Sequence, residues 1–166
     1  MGTTGAPGTG PLDADCRRRL RDFALRLTGD LDLAEDVAQE TIIRALREEV
    51  PTDLPYLFRV ALNLVRSEAR RVKRRKVLHE ALVARGVREE PEPFDHLAAG
   101  EQKDRLWECL GRLPDRERTA LVLRFGEGMS CTEIAAIQGT SPNAVSCLIR
   151  RGKERMRDLL DGRRPA

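Results

Sequence analysis

The stretch SCTEIAAIQGTSPNAVSCLIRR, residues 130–151, decides how the rest of the chain is read. Ser130 followed by Glu133 is a capping box: the hydroxyl takes an orphan amide of the first helical turn and the carboxylate reaches back to the amide of the cap. It predicts a short helix carrying Ile134, Ala135 and Ile137 that ends at Gly139, a residue that enters the left-handed conformation without a Cβ penalty. Ser141 caps a second helix, and Pro142 fits its first turn, where a missing amide hydrogen costs nothing. Two helices joined by so tight a turn make a helix-turn-helix, whose second helix normally enters the major groove. On that helix Val145, Leu148, Ile149 and Met156 form a packing stripe, and Asn143, Ser146, Cys147, Arg150 and Arg151 are left on the outer face. Amide, hydroxyl and guanidinium groups placed there can reach base edges or phosphates. Gly152, inside the same helix, is expected to cost about 1 kcal/mol relative to alanine. An ordinary helical hairpin with a solvated basic face is the plainer alternative, and the capping signals count against it.

Upstream of this motif, Leu106, Trp107, Leu110 and Leu113 begin a helical pattern that restarts at Pro114 with Ala120, Leu121, Leu123 and Phe125, closed by Gly126 and Gly128. Residues 101–161 therefore read as one small helical domain. Before it, Gly86, Pro91, Pro93 and Gly100 bracket the acidic residues Glu89, Glu90, Glu92 and Asp95, so residues 86–100 read as a flexible linker. An acidic linker can mimic nucleic acid in a basic channel or serve as a solubilising tether, and the residues favour neither.

A second helical domain is expected over residues 13–85, behind a disordered Gly/Thr/Pro tail at 1–12. Its first helix carries Leu20, Phe23, Ala24 and Leu27 and can end at Gly29. Asp32 with Glu35 predicts an acidic capping box for the second, with Leu33, Val37, Ala38, Thr41, Ile42, Ala45 and Leu46 on a dry face and Glu35, Asp36, Gln39, Glu40 and Arg44 on a wet one. After Pro51 and Pro55 a long helix follows, with Leu57, Val60, Ala61, Leu64 and Val65 as apolar contacts. It runs directly into Arg66–Lys76, where seven basic residues face Glu68 alone. A basic helix of this kind can bind nucleic acid or acidic lipid, or simply be solvated.

Composition narrows the class. Aromatics make up 4% of the 166 residues while Leu, Ala, Arg and Glu are abundant, which favours helices over strands and gives an all-α expectation. The net charge of +3 is modest but segregated into two cationic surfaces, and local concentration governs binding to a polyanion. Cys16, Cys109, Cys131 and Cys147 form no C-x-x-C pair and have no histidine at ligand spacing, so reduced thiols and no metal or cofactor are expected. The N-terminal stretch has no apolar core of a signal peptide, and no run nears the roughly 20 apolar residues of a membrane span. A cytoplasmic protein without a membrane partner is the expectation. No P-loop, H-E-x-x-H or dinucleotide signature is written, and His79 and His96 have no evident partners, so an enzyme is not expected.

Three ordered blocks carry a family resemblance. Ala34-Glu35-Asp36-Val37-Ala38-Gln39-Glu40-Thr41 with Arg44-Ala45-Leu46 resembles the polymerase-binding helix of the extracytoplasmic-function (ECF) sigma factors of the sigma-70 family. Tyr56 to Asn63 and the basic continuation are similar to the segment with which that family melts and reads the −10 element. Leu113-Pro114 to Arg124, Gly128-Met129-Ser130 and Glu133-Ile134-Ala135 are similar to its second domain, which binds the −35 element.

The resemblance implies a factor that binds RNA polymerase core, directs initiation at particular promoters and is commonly held inactive by an anti-sigma factor. It implies that Asp36, Gln39 and Glu40 dock on the clamp helices of the largest polymerase subunit. Asn63 and Ser67 would lie near the extruded −10 base, with Tyr56 helping to separate strands, Phe58 packing in the core and Arg66, Arg70, Arg71, Lys73 and Arg74 neutralising phosphates. Arg124 matches a phosphate-contacting position, and Asn143, Ser146, Cys147, Arg150 and Arg151 lie at or near those facing the −35 groove. The chain departs from the family where Ser146 replaces a basic residue, Leu148 an arginine, Ser67 an acidic or amide residue and Tyr56 a tryptophan, which points to unusual promoter preferences. A stand-alone helix-turn-helix regulator would leave the acidic helix and the Asn63 segment unexplained, and an adaptor that only binds polymerase predicts that losing Arg150 and Arg151 leaves transcription unchanged.

Overall fold

The computed structural model describes residues 12–47, 53–83 and 101–162. Among them the chain forms α1 (Ala14–Thr28), α2 (Leu31–Arg47), α3 (Leu54–Val83), α4 (Glu101–Gly111), α5 (Asp115–Leu121), a π-helical turn (Val122–Gly126), α6 (Cys131–Gln138) and α7 (Pro142–Leu160), with no strand. The all-α expectation holds. The expected linker, residues 86–100, lies outside the described residues, as does the expected tail apart from Leu12.

Local chemistry fixes where each helix begins. Asp13 caps α1 by accepting from the Cys16 amide at 2.8 Å, and α1 ends at Gly29, whose φ of 72° is the left-handed stop. Asp53 caps α3 through the Tyr56 amide at 2.8 Å, with Pro55 in the first turn. At α2 the expected acidic box is displaced. Asp30, not Asp32, accepts from the Leu33 amide at 2.9 Å, and Glu35 instead meets Arg17 and Arg21 of α1 at 3.5 and 3.4 Å. The reason is geometric: the turn after Gly29 is short enough that the helix starts at Leu31, which puts Asp32 already inside the first turn.

The N-terminal core is built by α1, α2 and α3. Leu20, Phe23 and Ala24 meet Ala34 and Ala38 of α2 and Leu57, Phe58, Ala61 and Leu62 of α3, all fully buried. The rings of Phe23 and Phe58 stand edge to face, with centroids 5.1 Å apart and planes at 87°, the arrangement the aromatic quadrupole prefers. Thr41 enters this core because its hydroxyl donates to the Val37 carbonyl at 2.7 Å, so no orphan polar atom is buried with it. Leu46, expected on the dry face of α2, is instead 65% exposed. The buried residues of α2 end at Ala45.

In the C-terminal half, α5, the π-helical turn, α6 and α7 enclose Ala120, Leu123, Ile134, Ile137 and Val145. Gly152 of α7 is buried against α5, where a Cβ would lie 3.0 Å from Leu121 Cδ1 and 3.5 Å from Glu117 Cβ. The propensity cost read from the sequence is thus offset by a close helix approach that alanine would crowd. The two halves also touch: α3 packs on α6, α1 packs on the π-helical turn, and the buried residues of both join in one cluster. Nothing in the sequence announced that shared face.

Candidate polymerase and promoter interfaces

Helix α7 presents the expected reading face. Asn143, Ser146, Cys147, Arg150 and Arg151 are all exposed, while Val145 is buried and Leu148, Ile149 and Met156 are half-buried on the opposite side. Positions 143, 146/147 and 150/151 recur every three or four residues and so share one side of the helix. The turn that aims this face is closed by Gly139 at φ 64° and by Ser141, whose hydroxyl accepts from the Ala144 amide at 3.2 Å. The Ser146 hydroxyl lies 3.1 Å from the Pro142 carbonyl and 3.6 Å from Cys131 Sγ, so it leans back towards α6.

The capping box of α6 forms in full. The Ser130 amide and hydroxyl both donate to Glu133 Oε2, at 2.8 and 2.7 Å, and the Glu133 amide donates back at 3.2 Å. These donations, the backbone amide first, hold the Glu133 carboxyl below its usual range. A carboxylate whose folded value is depressed adds stability above its unfolded value, about 4.3, and loses it as pH falls through the folded one. Glu133→Gln is therefore expected to melt below the wild type at pH 7, with a narrower gap at pH 3. Equal melting at both would deny the carboxylate this role.

Arg124 belongs to the π-helical turn rather than to a regular helix. Its Nη1 donates to the Met129 carbonyl at 2.8 Å, which ties the turn to the start of α6, while the residue as a whole is exposed.

On α3 the second stripe runs along one side through Tyr56, Arg59, Asn63, Arg66/Ser67, Arg70 and Lys73/Arg74. Asn63, Ser67, Arg70, Arg71, Lys73 and Arg74 are exposed. Tyr56 is half-buried, with the Arg59 guanidinium 5.3 Å from its ring centre, and Asp53, Pro55, Tyr56 and Arg59 share a small cleft with Ala136 of α6. Arg66 differs from its neighbours: it is paired with Asp115 of α5, at 3.0 Å through Nε and 2.9 Å through Nη2. Arg59 was missed in the sequence, although its place one turn after Tyr56 puts it in the same stripe.

The third surface lies on α2. Asp36 and Gln39 are exposed, and Glu40 is half-buried with Oε1 bonded to Arg44 Nε at 2.7 Å. Ile43 at 41% exposure and Leu46 at 65% continue this stripe, giving an acidic surface with an apolar end. Both were missed as surface residues because they read as part of the dry face or close to it.

All four cysteines are free; Cys16 and Cys109 are buried, Cys131 is half-buried and Cys147 exposed. Burial, with Asp13 nearby, pushes the Cys16 thiol up and away from reactivity. Among the described residues there is no group of three or more His, Cys, Asp or Glu able to hold a metal ion, and no helix long and apolar enough to cross a membrane.

Two family profiles match in this order along the chain: sigma-70 region 2 over residues 12–76 and sigma-70 region 4 over residues 103–156. The ECF RNA polymerase sigma factor EcfG of Rhodopseudomonas palustris is 32% identical over 146 residues, covering 85% of this chain and 78% of the relative. The chain belongs to the ECF sigma factors of the sigma-70 family. This sigma factor also shares its fold with solved relatives. The sigma factor RpoE of Bartonella quintana, determined with the anti-sigma factor NepR, superposes with a TM-score of 0.67 at 26% identity over 89% of this chain and 93% of that one. CnrH, determined with the cytosolic domain of CnrY, superposes with a TM-score of 0.61 at 28% identity over 90% of this chain and 84% of that one.

Proposed function

We propose that this sigma factor grips RNA polymerase core through the α2 surface and places two cationic helices on separate promoter elements. Asp36, Gln39 and Glu40 would meet the clamp helices of the largest subunit, a basic partner suited to an acidic face. Ile43 and Leu46 would give that contact the apolar part an interface needs. The α3 stripe would take the melted −10 strand, with Tyr56 available for stacking, Asn63 and Ser67 for an unstacked base edge, and Arg66, Arg70, Arg71, Lys73 and Arg74 for phosphates. Helix α7 would read the −35 duplex through Asn143, Ser146, Cys147, Arg150 and Arg151, with Arg124 at the backbone.

The observation that carries this reading is the separation of chemistries: one acidic and apolar stripe and two polar, arginine-rich stripes, each on its own helix. The proposed units are residues 13–85 and 101–161, joined by 86–100 and preceded by 1–12. Linked weak contacts would select a promoter together, because the second binds at the effective concentration set by the first. We infer further that the protein works in the cytoplasm as a binding protein rather than an enzyme, and that an anti-sigma factor holds it inactive, as the relatives solved with NepR and CnrY support.

Transcription from a randomised promoter library with purified core polymerase tests the reading. The expected result is initiation at defined sites sharing two short elements, and initiation no different from core alone would remove it. Asp36→Arg is expected to weaken association with core about ten-fold in a pull-down while helical content stays unchanged, because a like charge would face the basic clamp. Undiminished association would take Asp36 out of the docking surface.

A further inference from the structure

Glu117 stands in the first turn of α5, yet its side chain is only 7% exposed. Its Cβ lies 3.5 Å from the point where a Cβ at Gly152 would stand, so the side chain is buried where α5 and α7 cross. A buried charge is costly unless a partner compensates it. The partner belongs to the other helix: Arg155 of α7 brings Nε to 3.5 Å from Oε2. Charge faces charge there without a closed hydrogen bond, since Oε2 accepts none among the described residues. Arg155 is thereby drawn across the crossing, although 40% of its side chain is still exposed.

The neighbouring pair on α7 differs in kind. Arg150 and Glu154 meet at 3.7 Å within the helix and are both exposed, so they fix no angle between helices. Glu117 and Arg155 join two helices. Gly152 sets how closely α7 approaches α5, and the ion pair, three residues further along α7, sets how far that helix can roll about its own axis. Arg151 lies one turn before Arg155, so a roll of α7 carries both arginines of the reading face with it.

We propose that Glu117 is a positioning residue for promoter recognition: from α5 it holds Arg155 and so fixes the roll of α7, which aims Arg150 and Arg151 at the DNA and keeps Arg155 off the phosphates. The proposal rests on the assignment of α7 to the −35 element made above. It gives a residue that never touches DNA a share in choosing the sequence.

Glu117→Gln tests this, because glutamine keeps the shape of the side chain and removes its charge. Holoenzyme assembled from purified core and the full chain is bound to a promoter recovered from the randomised library, and to the same promoter with its −35 element scrambled, over a series of potassium chloride concentrations. Preference for the intact promoter is expected to fall about ten-fold, roughly the worth of one bidentate arginine contact. On both templates the slope of log affinity against log salt should steepen by about one unit, because Arg155, released from the carboxylate, adds a phosphate contact. A residue that merely held the fold together would weaken binding without steepening that slope. Arg155→Gln changes a partly exposed side chain and so keeps the fold in place; it should lose the same preference with no change in slope. The double variant should match Arg155→Gln alone, since the two partners of one ion pair are not additive.

A wild-type holoenzyme that does not distinguish the two templates overturns the assignment of α7. If the wild type distinguishes them, Glu117 is overturned as the positioning residue when either variant keeps that preference, or when Glu117→Gln leaves the slope unchanged.

Discussion

Replacing Arg150 and Arg151 together by alanine is expected to reduce promoter-directed initiation about a hundred-fold or more while leaving core association intact. Both guanidinium groups stand on the exposed side of α7, two turns beyond Asn143, and among the described residues Arg150 pairs with Glu154 at 3.7 Å. That pair is exposed on both sides, so breaking it to face DNA costs little. A bidentate arginine contact to guanine discriminates by about 1–3 kcal/mol, so two such contacts multiply to two or more orders of magnitude in binding. Run-off transcription on a promoter recovered from the library, with a control duplex whose −35 element is scrambled, measures it. Wild type and variant should become alike on the scrambled control. An unchanged rate on the intact promoter would leave a protein that recruits polymerase without reading through α7. Melting temperature should hold, since neither side chain contributes to the core.

Phe58→Ala is expected to destabilise the fold by about 3–5 kcal/mol, a large share of the 5–15 kcal/mol typical of a native protein. The ring is fully buried between α1 and α3 and makes the edge-to-face contact with Phe23. Alanine there removes both the transferred apolar area and the aromatic pairing, and the alanine-lined faces of α2 offer nothing long enough to fill the gap. Urea titration followed by circular dichroism is the measurement, with Leu46→Ala as its contrast. Leu46 is mostly exposed, so that change should stay within about 0.5 kcal/mol. A loss below 1 kcal/mol for Phe58→Ala would mean that α1 and α3 are not locked through this pair.

The helices were legible because their ends are written in side chains that act locally. Ser130 with Glu133, Gly139, and Ser141 with Pro142 each perform in the structure the role their spacing predicts. Asp13, Asp30 and Asp53 cap just as effectively, but an isolated aspartate in a polar stretch has no second residue to announce it. The same contrast holds for the surfaces. The outer face of α7 followed from periodicity because its inner face is apolar, whereas Leu46 has the spacing of a core residue and is nevertheless 65% exposed. Least legible were contacts between residues far apart in the chain. Glu127 with Arg19 and Arg26, and Arg66 with Asp115, join ordinary charged residues whose meeting depends on how whole helices are placed.

The missing side chain at Gly152 ties what the protein reads to how it is packed. Leu121, at the end of α5, lies 3.0 Å from where the first carbon of any larger residue would sit, and Gly152 directly follows Arg150 and Arg151, the arginines proposed to read DNA. An alanine at 152 would need the Leu121 side chain to give by a few tenths of an ångström, and a longer side chain would press on α5 right beside Arg150 and Arg151. A larger residue at 152 is therefore expected to be tolerated best with a smaller one at 121, a pair that bears on the proposed reading face through packing alone.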